Sequence, residues 1–452
     1  LDEPTVPAKV LLTETNWWPF APRLAMGLAK MGCAASAVYP ASLHPLSKTS
    51  VLEQRFRYSP IDPMRSLKAA IEAVDPAIVV PCDDRAVQHL HELYAREIAQ
   101  QPSGSTVSRV IEESLGRPEN YSVVSSRYSL MQVAREEGIR IPDTELLTAA
   151  SQLSGDIGLP APWVLKADSS WGGHGVRIAH NRKQAEKYFS ELSRPLATVR
   201  FMKRLLVDRD PYWLQTWWQR ITPAVIVQAH IQGHPANSAV VCWKGQVLAG
   251  IAAEVINAQG ATGAATIVRI VDRPEMLLPA ERLARRLGLS GFFGFDFMIE
   301  EGTDQPFLVE MNPRCTPLSH LQLGSGRDLM AALSAQLSNT PVQERAPVTT
   351  NDLIAYFPQA WHWDPNSQLL QSSFHDVPSE EPDLVRELFR VPWPDRGILA
   401  RIANLLRRTT FPDRARRGGV FESSPPNRRS TEARKPASEE PSSHASKFNS
   451  VR

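Results

Sequence analysis

A chain of 452 residues with 42% hydrophobic and 22% charged residues is expected to fold as two or three globular domains. The formal net charge is only +2, and the chain lacks the strong basic stripe of a nucleic-acid-binding protein, as well as any apolar run near the roughly 18–20 residues that span a bilayer. The four cysteines form no CxxC pair, and Asp2 and Glu3 do not match the basic start of a signal peptide, so we expect a cytoplasmic protein with buried thiols.

Strand and helix signals alternate in residues 1–115. The predicted strands are 10–13, 34–39 and 77–81, and the predicted helices are 24–31, 66–74 and 86–98. Because parallel strands are joined by crossover helices, this alternation predicts an open parallel α/β domain. The turn after the first strand, residues 14–18, contains no glycine, which argues against a dinucleotide site. We expect its paired tryptophans, Trp17 and Trp18, to be core or interface residues.

Residues 116–340 combine helices with antiparallel strands, which predicts an α+β domain. Its predicted strands are 163–166, 176–179, 224–230, 238–243, 246–251, 292–299 and 306–311, and its predicted helices are 126–138, 185–192 and 276–287. We place a central lobe at about 160–228 and a C-terminal lobe at about 229–340. Residues 341–410 form a C-terminal extension with a looser pattern. The Ser-, Pro- and Arg-rich residues 411–452 are expected to be a disordered, solvated basic tail.

A glycine-rich loop follows the predicted strand 163–166. It comprises Ser169, Ser170, Gly172, Gly173, His174 and Gly175. The glycines allow positive φ angles and let backbone N–H groups surround a ligand, and Lys166 supplies a charge suited to a phosphate. The order of lysine and glycines differs from the GxxxxGK[ST] loop. A glycine-rich hairpin that needs no ligand is about equally compatible with this pattern.

An acidic pair gives a more specific signal. Asp296 and Glu310 lie on two predicted strands joined by a short turn, among apolar neighbours. In a hairpin the two carboxylates can lie side by side, where they repel unless a cation lies between them. Asn312 faces the same side as Glu310 and adds an oxygen suited to Mg²⁺. Arg314, two residues further on, can hold a phosphoryl group or an acyl phosphate, although a structural salt bridge is the alternative.

The predicted strand 224–230 ends in a segment that we name the hinge. It comprises Gln228, Ala229, His230 and Ile231. Its backbone could pair with an adenine edge, and the Gln228 side chain could bond the exocyclic amine. The pattern alone favours an ordinary strand end.

With the lysine, the glycine loop, the hinge and the acidic hairpin in this order, residues 5–335 resemble the ATP-grasp superfamily. The similarity is closest to the branch of carbamoyl-phosphate synthase and biotin carboxylase. The resemblance implies a preceding α/β domain and two lobes that close on ATP, with Mg²⁺ or Mn²⁺ as the metal. It implies that Lys166 and the glycine loop bind the triphosphate and that the hinge holds adenine.

The same resemblance assigns the remaining site residues. It implies that Asp296, Glu310 and Asn312 bind the metal, and that Arg314, the arginine of the E-x-N-P-R pattern, orients the reacting group. Arg127 falls where many members place a nucleotide-binding lysine. Three positions depart from the common pattern: Gln228 replaces an acid, His174 replaces Lys, Arg or Met, and Arg127 replaces lysine.

The function implied is attack of a substrate carboxylate on ATP, giving an acyl phosphate that an amine or another nucleophile then displaces. The partners are therefore small molecules, and a homodimer is possible. We expect the substrate between the metal site and the first domain, where Thr262, Gly263 and Arg269 are candidate contacts. Two alternatives stay open: carboxylation of a carrier with bicarbonate, and a non-catalytic ATP-binding protein.

Overall fold

The first sheet of the protein is parallel and has four strands. The computed structural model describes residues 7–40, 43–154, 158–168, 175–194, 222–260 and 263–390. The strands are β1 (Lys9–Thr13), β2 (Ala34–Tyr39), β3 (Gln54–Arg57) and β4 (Ile78–Pro81), in the order β3-β2-β1-β4. The surrounding helices are α1 (Ala21–Lys30), α2 (Pro63–Val74), α3 (Asp84–Gln100) and α4 (Thr106–Leu115). All three strand pairs are parallel, which confirms the predicted α/β arrangement. The sequence predicts neither α4 nor β3, a short strand of mostly exposed polar side chains.

Helix α3 begins directly after β4 because the sequence supplies its N-cap there. The Oδ1 atom of Asp83 accepts a hydrogen bond from the Ala86 backbone N–H at 2.9 Å, which satisfies one of the free amides of the first turn. Asp84 is the first residue of the helix, where a negative charge is favoured by the helix dipole. Two carboxylates are thereby held at the carboxyl edge of the parallel sheet.

A second, smaller sheet is antiparallel, and we name it the small sheet. Its strands are β5 (Thr144–Leu147), β6 (Trp163–Ala167), β7 (Val176–Ala179) and β8 (Val225–Ala229), in the order β5-β8-β6-β7. The helices near it in sequence are α5 (Tyr121–Val124), α6 (Arg127–Glu136), α7 (Ser151–Ser154) and α8 (Arg182–Leu192). Lys166 pairs with Ile226, and Val164 pairs with Gln228. Because side chains alternate along a strand, Lys166 and Gln228 lie on the same face of the small sheet.

The third sheet has seven strands, and we name it the large sheet. Its strands are β9 (Gly233–Trp243), β10 (Gln246–Ala258), β11 (Ala265–Val271), β12 (Gly291–Glu300), β13 (Pro306–Asn312), β14 (Leu353–Tyr356) and β15 (Phe374–Asp376), in the order β13-β12-β9-β10-β11-β14-β15. The remaining α-helices of the described residues are α9 (Leu278–Leu287), α10 (Leu329–Ser338), α11 (Gln359–Trp363), α12 (Gln368–Ser372) and α13 (Pro382–Phe389). The predicted turn between β9 and β10 is confirmed, with φ angles of 47° at Lys244 and 89° at Gly245.

The two faces of the large sheet pack against different parts of the chain. On one face, Ala239 and Ala253 belong to a core shared with β1, α1 and α10. On the other face, Phe295 and Phe297 belong to a core shared with α6 and α9. Asp296 lies between these two phenylalanines in β12 and therefore belongs to the first face. We name the two sides the Asp296 face and the Phe297 face.

The C-terminal extension has more regular structure than its sequence pattern indicates. Strands β14 and β15 continue the large sheet beyond β11. Helix α13 contributes Leu384 and Leu388 to a small core with Met26 of α1. The predicted tail, residues 411–452, lies outside the described residues. Within the described ranges, none of the helices has both the length and the apolar character to cross a membrane.

Candidate active site

The acidic pair occupies directly opposite positions in the hairpin of β12 and β13. Asp296 pairs with Glu310, and Gly294 pairs with Asn312. Opposite residues of an antiparallel pair share a face with Cβ atoms about 4.5–5.5 Å apart, so the predicted side-by-side arrangement of the carboxylates is confirmed. The register shifts immediately after Asp296. Such a bulge changes the direction of side chains at the edge of a sheet.

Two cations from outside the hairpin reach this pair. Arg127, the first residue of α6, donates from Nη2 to Glu310 Oε1 at 2.6 Å and from Nη1 to the Ala167 carbonyl oxygen. Lys166 of β6 donates from Nζ to the Val309 carbonyl oxygen at 2.9 Å. Arg127 of α6 thus contacts the Glu310 carboxylate directly, while Lys166 of the small sheet bonds the backbone one residue before Glu310. The sequence predicts Lys166 as a phosphate-binding residue and Arg127 as a nucleotide-binding residue, and the structure places both beside the acidic hairpin.

Arg314 approaches the pair from the loop that follows β13. Its Nη2 atom donates to Asn312 Oδ1 at 3.3 Å, and its Nε atom lies 3.0 Å from Asp84 Oδ2 at the start of α3. Asn312 in turn donates from Nδ2 to Asp296 Oδ2 at 2.9 Å. A continuous polar chain therefore connects the parallel sheet to the acidic pair. The guanidinium carbon of Arg314 also lies 6.0 Å from the centre of the Trp18 ring, close to the limit for a cation–π contact.

The charges of the site do not cancel evenly. Burial, followed by the negative charge of Glu310, raises the pKa of Asp296 to about 6. Burial opposes ionisation of Glu310 as well, but Arg127 and Lys166 outweigh this effect and lower its pKa. Burial lowers the pKa of Lys166 to about 8, and the Glu310 charge offsets part of that effect. Cations compensate Glu310 more completely than Asp296, and such an uneven balance between neighbouring carboxylates is typical of a site that binds a cation.

The donor set fits a divalent cation that takes part of its coordination from phosphates. The described residues contain no cluster of three or more His, Cys, Asp or Glu side chains able to hold a metal. Mg²⁺ commonly binds one or two carboxylates together with water and nucleotide phosphates, so Asp296 and Glu310 meet that requirement. Asn312 presents Nδ2 to Asp296 and Oδ1 to Arg314. For Asn312 to bind metal through Oδ1, its carboxamide would have to turn, and its role as a ligand stays a prediction.

The hinge has fewer free backbone groups than sequence analysis assumes. The Ala229 amide donates to the Asp143 carbonyl oxygen at 2.9 Å, and the His230 amide donates to the Pro162 carbonyl oxygen at 3.2 Å. An adenine edge would therefore have to use the remaining groups of the hinge. An open pocket of about 420 Å³ adjoins this segment. Its lining residues are His230, Ile231, Gln232, Glu300 and Glu301.

The structure describes the predicted glycine loop only at its last residue, Gly175. Ser169, Ser170, Gly172, Gly173 and His174 lie outside the described residues, as does the candidate substrate contact Thr262. Gly175 is described, and its carbonyl oxygen accepts a hydrogen bond from the Ala167 amide at 3.1 Å. The phosphate-binding role of the loop stays a prediction.

The other two candidate substrate contacts lie apart from the acidic pair. Arg269 of β11 is the register partner of Glu254 in β10. The same row of register partners continues across the large sheet through Ala236 in β9 to Phe297 in β12. This row belongs to the Phe297 face, and the Arg269 Nε atom lies 3.5 Å from Asp352 Oδ2. Gly263 packs so closely on the preceding turn that a Cβ atom there would lie 2.0 Å from the Gln259 carbonyl oxygen. The geometry thus gives neither residue a contact with the acidic pair.

Sequence analysis missed two residues of the site. Asp84 bonds Arg314, and its signal was available: an acidic residue directly after a buried parallel strand lies at the carboxyl edge of the sheet, where such folds bind ligands. Asn237 of β9 is the register partner of Asp296 and extends the row of polar side chains on the Asp296 face. Its strand was predicted to begin only at residue 238, so its position could not be derived.

Comparisons with known proteins agree with this geometry. Residues 124–317 match the model of the family described as ATP-grasp domain. The biotin carboxylase domain of 2-oxoglutarate carboxylase from Hydrogenobacter thermophilus, solved with MgADP, ADP and bicarbonate, is similar with a TM-score of 0.53 and 12% identity, over 75% of this chain and 71% of that chain. L-amino acid ligase from Bacillus licheniformis is similar with a TM-score of 0.51 and 10% identity, over 76% of each chain.

A third similar structure is N5-carboxyaminoimidazole synthetase from Staphylococcus aureus in complex with ADP. It has a TM-score of 0.52 and 11% identity, over 75% of this chain and 80% of that chain. Comparison with curated protein sequences finds no match. At these identities the structural likenesses show the shared fold, and the family match locates it in the sequence. Residues 124–317 of this chain therefore form an ATP-grasp domain.

Proposed function

We propose that the chain is an ATP- and Mg²⁺-dependent ligase that activates a substrate carboxylate as an acyl phosphate. An amine or another nucleophile then displaces the phosphate, so that ADP and phosphate are released and a C–N bond is formed when the nucleophile is an amine. The observation that carries the proposal is the acidic pair, Asp296 and Glu310, with Lys166, Arg127 and Arg314 gathered around it. This set of charges suits phosphoryl transfer, in which catalysis is mainly positioning and charge neutralisation.

Different residues of the chain would bind the metal, the phosphate and the reacting group. Asp296 and Glu310 would hold Mg²⁺, which supplies positive charge at the reacting phosphate oxygens when MgATP is bound. Lys166 is buried at 6% exposure, so its charge is poorly screened by water and acts strongly on a phosphate. Arg314 is held by Asp84 and Asn312. Its orientation is therefore fixed before a substrate arrives, which limits the entropy lost on binding.

A release assay for ADP tests the proposal. The full chain is incubated with MgATP and a panel of amino acids and small carboxylic acids, each with and without an added amine. We expect ADP release that requires both Mg²⁺ and one carboxylate of the panel. Amino acids come first in the panel because one structure of similar fold is an L-amino acid ligase.

Two control reactions separate the alternatives. ADP release that requires bicarbonate and biotin, and no other carboxylate, would replace the proposal with carboxylation of a carrier. Binding of MgATP with no ADP release across the panel would favour a non-catalytic ATP-binding protein.

A further inference from the structure

The Gln228 side chain is buried on one face of the small sheet, near the end of β8. It has 1% exposure and shares a sheet face with Lys166. Its register partner on the neighbouring strand β5 is Thr144, which also has 1% exposure. A carboxamide has a donating end and an accepting end, and a buried carboxamide must match each end to a partner. The orientation of Gln228 therefore decides what the face beside Lys166 presents to a ligand.

Thr144 determines that orientation. Its hydroxyl donates to the Pro142 carbonyl oxygen at 2.8 Å. The carbonyl can only accept, so the single hydroxyl hydrogen is committed and the Thr144 oxygen is left as an acceptor. Gln228 accordingly donates from Nε2 to Thr144 Oγ1 at 3.0 Å. In the reverse orientation Gln228 Oε1 would face Thr144 Oγ1, so two accepting oxygens would meet and a buried hydrogen bond would be lost.

The consequence is that Oε1 is the end of the carboxamide available to a donor. The next two backbone amides of the hinge, those of Ala229 and His230, are committed to Asp143 and Pro162. These two amides are therefore not free to donate to a purine, and the accepting oxygen of the Gln228 carboxamide can distinguish purines by the group at position 6. Adenine carries an amino group at position 6 and donates there, whereas hypoxanthine and guanine carry a carbonyl and accept.

We propose that Thr144 is a positioning residue that fixes the Gln228 carboxamide with its oxygen toward the nucleotide base, so that the site selects 6-aminopurine over 6-oxopurine nucleotides. This inference rests on the proposed function, because it requires ATP to bind at the hinge. It also gives a physical reason for a glutamine at this position. A glutamate would place a second acceptor against a Thr144 oxygen whose proton is already committed.

The test compares ATP with ITP, which differ at position 6 of the base. Dissociation constants of both nucleotides, with Mg²⁺, are measured by calorimetry on the wild-type chain and on Thr144→Val and Thr144→Ser. We expect the wild type to bind ATP roughly ten- to hundredfold more tightly than ITP, since one hydrogen bond is replaced by two facing acceptors. Thr144→Val frees the carboxamide to turn, and we expect the ratio to fall to about threefold or less.

Thr144→Ser keeps the hydroxyl, so we expect it to keep the wild-type preference for ATP over ITP. A purely structural role of Thr144 would not require that Ser and Val differ in this preference. A wild-type chain that binds ATP and ITP equally would overturn the inference while leaving the proposed function intact, and this result needs no variant to fold. A Thr144→Val chain that binds ATP and retains the full ratio would overturn it as well. Failure of the wild type to bind either nucleotide would overturn both the inference and the proposed function.

Discussion

Two buried carboxylates of this protein have opposite electrostatic environments. Asp376, at the end of β15, accepts hydrogen bonds from Arg23 of α1 and lies 2.7 Å from His320 Nε2 through its other oxygen. Burial opposes ionisation of Asp376, but Arg23 and His320 outweigh it and lower its pKa. Asp296 faces Glu310 instead, and burial raises its pKa to about 6. Asp376 is fully compensated, whereas Asp296 is not.

This difference separates a structural ion cluster from a functional one. The Asp376 cluster ties the C-terminal extension to α1, and each carboxylate oxygen has a cationic or imidazole partner, as a stable buried charge requires. At Asp296 the folded chain tolerates a repulsion between ionised carboxylates that a bound cation or a proton would relieve. Such repulsion is expected where a protein keeps a binding site at the expense of stability. Substitution of each aspartate by asparagine tests this contrast.

The largest effect is expected for Asp376→Asn. The variant removes the carboxylate that bonds Arg23, whose side chain is 10% exposed. Breaking one side of a buried ion pair typically costs about 3–5 kcal/mol, and we expect a loss of this order in the free energy of unfolding. Urea denaturation followed by circular dichroism measures it.

Glu380→Gln provides a matched control between the same two regions. Glu380 pairs with Lys30 of α1, but the two side chains are 46% and 56% exposed. An exposed pair contributes little, so a change below about 0.5 kcal/mol is expected. Equal losses in Asp376→Asn and Glu380→Gln would contradict the structural role of the Asp376 cluster.

For Asp296→Asn we expect a large loss of activity without a loss of stability, the opposite of the result expected for Asp376→Asn. We expect ADP release to fall by at least about 100-fold because the metal loses a carboxylate, while the free energy of unfolding stays equal or rises because the repulsion from Glu310 is removed. Glu310→Gln should lose ADP release to a similar degree and also lose stability, since Arg127 loses its ion pair with this carboxylate. The measurements are ADP release and urea denaturation of both variants. Unchanged turnover in either variant would refute the assignment of the acidic pair.

The pH dependence of stability should distinguish the two aspartates, with an effect of roughly 1–2 kcal/mol at Asp296. Its folded-state pKa of about 6 lies above the ordinary value of 3.8. The folded chain therefore holds a proton that the unfolded chain releases, and stability falls as pH rises from about 4 to about 6. The stability of Asp296→Asn minus that of the wild type, measured without added Mg²⁺, should grow over this range and then level off.

For Asp376 the sign is opposite, because its pKa is lowered: the advantage of the wild type over Asp376→Asn should shrink as pH falls below about 4. A flat difference for Asp296→Asn would show that the carboxylate is not perturbed in the folded chain.

The same contrast explains how much the sequence could predict. Asp296 and Glu310 belong to consecutive strands joined by a short turn, so hairpin geometry alone brings them together. Arg23 and Asp376 are separated by 353 positions in the chain, and no local pattern links an arginine of α1 to an aspartate of the extension. The site was therefore predictable where its contacts are local, and the structural cluster was not.

The sheet face of the substrate candidate Arg269 could not be predicted, for a related reason. Sequence analysis does not predict β11, so it could not assign Arg269 to a sheet face. Since side chains alternate along a strand, the register of β11 against β10 decides between the Asp296 face and the Phe297 face. That register depends on pairing across the large sheet, which one sequence does not reveal. Gln228, by contrast, was assigned to the hinge from its strand alone, but Thr144, which accepts the hydrogen bond that orients the Gln228 carboxamide, lies on a separate strand.

The smallest effect is expected at Asp84, which joins the parallel sheet to the site. Its carboxylate is 35% exposed and lies 3.0 Å from Arg314. Asp84→Asn weakens this ion pair and removes a charge favoured by the dipole of α3, so we expect a loss of about 0.5–1 kcal/mol in the free energy of unfolding. ADP release should fall only severalfold, because Arg314 keeps its bond to Asn312. Asp84→Glu keeps the charge and serves as the control. A loss of activity in Asp84→Asn as large as that of Asp296→Asn would contradict this indirect role and would place Asp84 in direct contact with the reacting groups.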